Sequence, residues 1–136
     1  MAYASLRVMG DRLEPEDVTA ALAITPTLTY RKGQVFKRSR GHEVRGRTGL
    51  WLLSSETAVQ SHKLRDHFTY LRQALEAQNG RLIDQLRAIM QRDGLRADVT
   101  CFWYGEHGAT PPEIPEETRA AFAKIGATIE TDFQTD

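Results

Sequence analysis

The residues best suited to chemistry in this chain are arginines. Between Arg31 and Arg47 stand Arg31, Lys32, Lys37, Arg38, Arg40, Arg45 and Arg47, against Glu43 alone. That is seven of the 18 basic residues and one of the 18 acidic ones, so the rest of the chain holds 11 basic and 17 acidic residues, a formal charge of −6. Guanidinium groups offer planar donor forks that fit carboxylate or phosphate, and the three glycines among them, Gly33, Gly41 and Gly46, let backbone N–H groups approach an anion. Two chemistries follow: docking of an acidic protein partner, or binding of an anion or nucleic acid. The plainer alternative is a solvated connection whose charge maintains solubility.

A stricter motif fails its context test. Gly41-His42-Glu43-Val44-Arg45-Gly46-Arg47-Thr48 approaches a phosphate-binding loop. However, arginine stands where that motif needs lysine, and the segment leads into a strand rather than a helix whose N-terminus would face phosphate.

Catalytic and metal-binding sets are poor. His62 and His67 are five apart and diverge around a helix, whereas ligands on one face sit four apart. Cys101 shares an alternating pattern with Val99 and Trp103 and is expected to be buried and inert. Glu106-His107 is an acid–base pair only if a cleft gathers it with Asp132 and arginines. No metal or other cofactor is expected, and an enzyme ranks third among the functions.

The elements that must position these residues follow from periodicity. Ala4, Leu6 and Val8 alternate with Tyr3, Ser5 and Arg7 in a half-buried strand. Pro15 with Glu16 and Asp17 opens a helix buried through Val18, Ala21 and Leu22, which Thr25-Pro26 ends. Thr27 to Arg31 reads as a second strand. Lys32 to Thr48 reads as a long hairpin connection, with Gln34 to Lys37 extending a strand. Leu50-Trp51-Leu52-Leu53 is apolar throughout and predicts an interior strand buried on both faces. Leu64, Phe68, Leu71 and Leu75 make a helical stripe with Ser61 as its N-cap; Asn79-Gly80 breaks it, and Leu82 to Met90 resumes it. Ala97 to Tyr104 is a strand, Pro115 starts a further helix, and Ile129, Thr131 and Phe133 mark a terminal strand.

This order predicts an α+β fold: a ferredoxin-like, mostly antiparallel sheet (βαββαβ) with an added C-terminal αβ and helices packed on one face. At 136 residues it is one domain, 1–136. One cysteine, no visible signal peptide and no long apolar run suggest a cytoplasmic protein without membrane contact. Trp51 is expected in the core, with a binding platform as the sharper alternative. Asp132 is expected to meet Arg31, Lys32 or Arg47 in an ion pair or a ligand pocket.

Ser5-Leu6-Arg7-Val8, Leu13-Glu14-Pro15-Glu16-Asp17-Val18-Thr19, Leu22-Ala23-Ile24-Thr25-Pro26-Thr27, Arg31-Lys32-Gly33, Thr48 to Ser55 and the acidic terminal strand with Asp132 occur in an order that resembles the bacterial family called domain of unknown function 4279. Glu14 departs mildly, since members often carry aspartate there; Phe133 fits. The resemblance implies the same small α+β fold and no settled activity. Its association with toxin-immunity and accessory proteins points to a non-catalytic protein-binding module of immunity or regulatory kind.

Overall fold

A computed structural model describes residues 1–37 and 41–136. Among the described residues, seven strands and four α-helices follow one another as β1 (Ala2–Gly10), α1 (Pro15–Leu22), β2 (Leu28–Tyr30), β3 (Val35–Lys37), β4 (Glu43–Arg45), β5 (Gly49–Ser54), α2 (Leu64–Glu76), α3 (Arg81–Asp93), β6 (Arg96–Gly105), α4 (Glu116–Ala123) and β7 (Thr128–Thr135). Five strands form one sheet in the order β2-β5-β1-β6-β7. All its pairings are antiparallel except β6–β7, which run parallel because a helix, α4, carries the chain back across the sheet between them. The fold is therefore mixed α+β around a mostly antiparallel sheet.

Register decides which residues build the core. Val8 stands opposite Trp51 and Ala97, Leu6 opposite Leu53 and Val99, and Ala4 opposite Cys101. These side chains share one face and are buried. The helices cover them: α1 lies against β5, α2 against β1 and β6, and α4 against β7. Phe68 of α2 meets Phe122 of α4 edge-on at 6.3 Å, inside this layer. The interior position expected of Leu50–Leu53 is found, since β5 runs between β2 and β1, but helices cover only the Trp51 and Leu53 side; Leu50 and Leu52 point to the other face, where Leu52 is only partly buried.

At the start of β5 the backbone approach permits no side chain. A Cβ on Gly49 would lie 2.8 Å from the carbonyl oxygen of Gly10, its cross-strand partner, and 2.7 Å from Leu13 Cβ.

Two expectations change in detail. Val35–Lys37 does not extend the main sheet; it pairs with Glu43–Arg45 in a separate two-stranded ribbon. Ser61 is not the N-cap of α2, a position Lys63 occupies. Its hydroxyl instead accepts the Lys63 N–H at 3.0 Å and donates to Asp66 at 2.6 Å, so it steadies the first turn from two residues upstream.

Candidate contact surface

The described part of the basic stretch, 31–37 and 41–47, forms an arm on the ribbon β3–β4. Its base is closed by backbone bonds, Gly33 N–H to Gly46 O at 2.8 Å and Gly46 N–H to Gln34 O at 2.9 Å. Phe36 stacks on Tyr30 with ring centres 4.5 Å apart. Gly46 fits beneath because a Cβ there would sit 2.6 Å from the Tyr30 ring.

The arm's first two cations are already engaged. Arg31 donates to Glu14 at 2.9 Å and Glu16 at 2.7 Å, and Lys32 to Asp11 at 3.0 Å. These pairs fasten the arm to the start of α1. The Glu14 hydrogen bond, then the Glu16 charge, raise the Arg31 pKa. The Lys32 and Thr48 hydrogen bonds hold the Asp11 carboxyl below the usual carboxylate range. Arg45 donates to the Gly33 carbonyl at 3.0 Å, Lys37 stands opposite Glu43, and Arg45 and Arg47 are exposed. Arg38 and Arg40 lie outside the described residues.

The two remaining sequence candidates stand apart from the arm. Trp51 is fully buried, and its indole N–H donates to Thr19 Oγ1 at 3.0 Å, so it belongs to the core rather than to a surface. Asp132 is on β7, the sheet edge opposite β2, and accepts from Gln134 at 3.0 Å. It meets none of Arg31, Lys32 and Arg47, because four strand spacings, about 19 Å, separate the edges.

Asp132 belongs instead to the sheet face that carries no helix. Tyr3, Ser5, Arg7 and Met9 of β1 point there, with Leu50 and Leu52 of β5, Leu28 and Tyr30 of β2, Asp98, Thr100 and Phe102 of β6, and Glu130 of β7. Tyr3 and Phe102 stack at 5.2 Å across the β1–β6 seam. They border a shallow depression of about 280 Å³ with Thr100, Glu130 and Asp132. Glu106 and His107 do not line it. In mid-face Arg7 grips Asp98 with two parallel bonds, Nε to Oδ1 at 2.8 Å and Nη2 to Oδ2 at 2.7 Å. The bond to Asp98 raises the Arg7 pKa. Towards the rim, Leu28 is 42% exposed and Tyr104, which donates to Asp136, is 39% exposed.

Two groups with nucleophilic potential are sealed away. Cys101 borders the depression, yet the residue is 1% exposed, and burial pushes the thiol up to about 11, far from a reactive thiolate at neutral pH. Ser55 and His67 form a pair the sequence reading passed over. Ser55 Oγ lies 2.7 Å from His67 Nδ1, and His67 Nε2 lies 2.8 Å from the Ser61 carbonyl. A carbonyl only accepts, so Nε2 carries the proton and Nδ1 accepts from the serine hydroxyl. Ser55 Oγ also accepts the Ala4 N–H at 2.9 Å. This is nucleophile–base distance, but Ser55 is 0% and His67 1% exposed, so no substrate reaches the hydroxyl. The network is a clasp joining β1, the end of β5 and α2. Its signal in sequence was a histidine three residues after Leu64 and one before Phe68, inside an apolar stripe. Among the described residues no cluster of His, Cys, Asp or Glu is arranged to hold a metal ion, and no helix is long and apolar enough to cross a membrane.

A helix-backed, mostly antiparallel sheet with one bare face makes this a small mixed α+β domain. The family described as Domain of unknown function (DUF4279) matches residues 1–136, and the chain belongs to it. No curated protein and no solved structure matches this chain.

Proposed function

We propose that this chain is a non-catalytic protein-binding module, of immunity or regulatory kind, whose contact surface is the bare sheet face together with the basic arm. Its order reads as the ferredoxin-like βαββαβ plan β1-α1-β2-β5-α2-β6, with the arm inserted between β2 and β5, α3 inserted between α2 and β6, and α4–β7 added. The observation that carries the reading is the bare face itself. Solvated faces of antiparallel sheets ordinarily alternate to polar residues. This one holds Leu28, Leu52, Tyr3, Phe102 and Tyr104, none of them fully buried, around a single internal ion pair. These make two apolar patches, Leu28 with Leu52 and Tyr3 with Phe102 and Tyr104, separated by the polar rows of Arg7–Asp98 and Ser5–Thr100, and apolar surface set among charge is typical of interaction sites. Arg45 and Arg47 on the arm suit an acidic partner.

Nucleic acid is the second reading, favoured by the Tyr3–Phe102 stack, since exposed rings on such a sheet stack on bases. Glu130 and Asp132 beside that stack repel phosphate, which favours protein.

Photo-crosslinking amino acids placed at Leu28, Tyr104 and, as a control, exposed Gln91 on α3 test this in cells that make the protein. The expected result is one discrete protein adduct from Leu28 and Tyr104 and none from Gln91. Equal labelling from all three positions, or adducts to nucleic acid alone, overturns it.

A further inference from the structure

We propose that the occupant of the bare face is a second copy of this chain, joined as a two-fold pair in which each basic arm lies over the acidic corner of the other. The pair rests on the bare face being the contact surface and adds which molecule covers it.

The placement of charge selects this occupant. Tyr30, at the base of the arm, stands level with Leu50 and hence with Met9. Asp132 stands level with Phe102 and hence with Tyr3, and Glu130 with Thr100 and Ser5. The basic and acidic groups thus occupy opposite corners of one face, about 19 Å apart across the strands and about 20 Å along them. Strand β7 and its tail carry Glu130, Asp132 and Asp136 and no basic residue. On the arm, Phe36 turns inward onto Tyr30, so its ribbon neighbours Val35, Lys37 and Arg45, with Glu43 opposite Lys37, turn outward, away from their own sheet. Val35 is 46% exposed there.

A two-fold axis lying in the plane of the face, along the diagonal through the other two corners, exchanges the basic and acidic corners. Every arm-to-corner contact is then made twice, as a two-fold interface requires. The steps across and along are nearly equal, so the axis lies about 45° from the strands and the two sheets cross near a right angle, one of the two stable orientations for sheets face to face. An axis along or across the strands leaves each arm away from the partner's Asp132. Leu52, Tyr3 and Phe102 lie between the charged corners and supply apolar contact. An acidic partner answers only the arm and a basic one only the corner; a second copy answers both, and with a formal net charge of zero two copies meet without net repulsion.

Size-exclusion chromatography with light scattering on the full chain tests the pair. At low salt the mass should be twice the chain's 15.4 kDa, halving as salt screens the corners. Two charge-reversed variants, Arg45→Glu with Arg47→Glu and Glu130→Lys with Asp132→Lys, change exposed side chains only. Each alone should run as a single chain with an unchanged circular dichroism spectrum, and the two mixed in equal amounts should restore the two-chain mass, because each reversed arm meets a reversed corner. A single-chain mass for the unaltered protein at low salt up to about 1 mM overturns the pair. So does failure of the mixture to reassociate, or growth beyond two copies. A single chain that still crosslinks through Leu28 and Tyr104 to another protein refutes the pair alone and leaves the contact surface standing.

Discussion

The two faces of the sheet are built from the same strands, residue by residue in alternation, and they obey different rules. Towards the helices, Ala4, Leu6, Val8, Trp51, Leu53, Val99 and Cys101 are sealed. The polar atoms that intrude there are all paired: the Trp51 indole to Thr19, and Ser55 to Ala4 and His67. Towards solvent, Tyr3, Ser5, Arg7, Leu52, Thr100 and Phe102 mix aromatic, aliphatic and charged groups with no layer above them. One face is a jigsaw fixed by volume, the other a surface with chemistry to spare. Substitutions should therefore separate into two classes, stability on the first and contact on the second.

The sharpest separation should come from Leu6→Ala. Leu6 is wholly buried between Leu53 and Val99 under α2, so truncation leaves a cavity and should cost about 2–5 kcal/mol in urea unfolding. A cost below about 1 kcal/mol would mean that the covered face is not tightly packed.

Ser55→Ala should have the next largest effect. It strands the buried Ala4 N–H and the His67 ring nitrogen together and should cost about 1–3 kcal/mol. The same measurement should show little loss for Ser54→Ala, one residue away and partly exposed.

The smallest effect concerns the ion pairs at the rim. Lys32 and Thr48 lower the pKa of Asp11, and Arg92 lowers that of Asp93. A carboxyl held below its unfolded value adds stability above that value, near 3.9, and loses it as pH falls through the folded one. The urea midpoint should therefore slip only slightly below about pH 4, and added salt should flatten the slope because the Asp11 carboxylate and its Lys32 partner are exposed. A steep, salt-insensitive acid transition would place critical carboxylates inside the fold instead.

Much of this contrast was legible in the sequence because alternation is a local signal. Ala4, Leu6 and Val8 against Tyr3, Ser5 and Arg7 give the two sides of β1 without reference to any other strand, and Leu50–Leu53 gives the interior ribbon. Sequence reading missed relations between distant segments. Nothing local tells Asp132 that β7 pairs with β6, four spacings from the arm, or that Glu14, Glu16 and Asp11 take up Arg31 and Lys32. The Ser55–His67 clasp joins residues 12 apart across a strand end and a helix start, and a pattern search for catalytic or metal spacing does not see it. The arm's cations were conspicuous as a cluster, but which ones face outward depends on the Phe36–Tyr30 stack that turns the ribbon.

The central claim is that the face without helices is not needed to hold the molecule together. It is tested most directly by urea unfolding of a chain with Leu28, Phe102 and Tyr104 all changed to serine, compared with Leu6→Ala. The triple variant should keep its cooperative transition and lose less stability than the single core truncation. Unfolding of the triple variant before Leu6→Ala would contradict the claim and make the bare face part of the core.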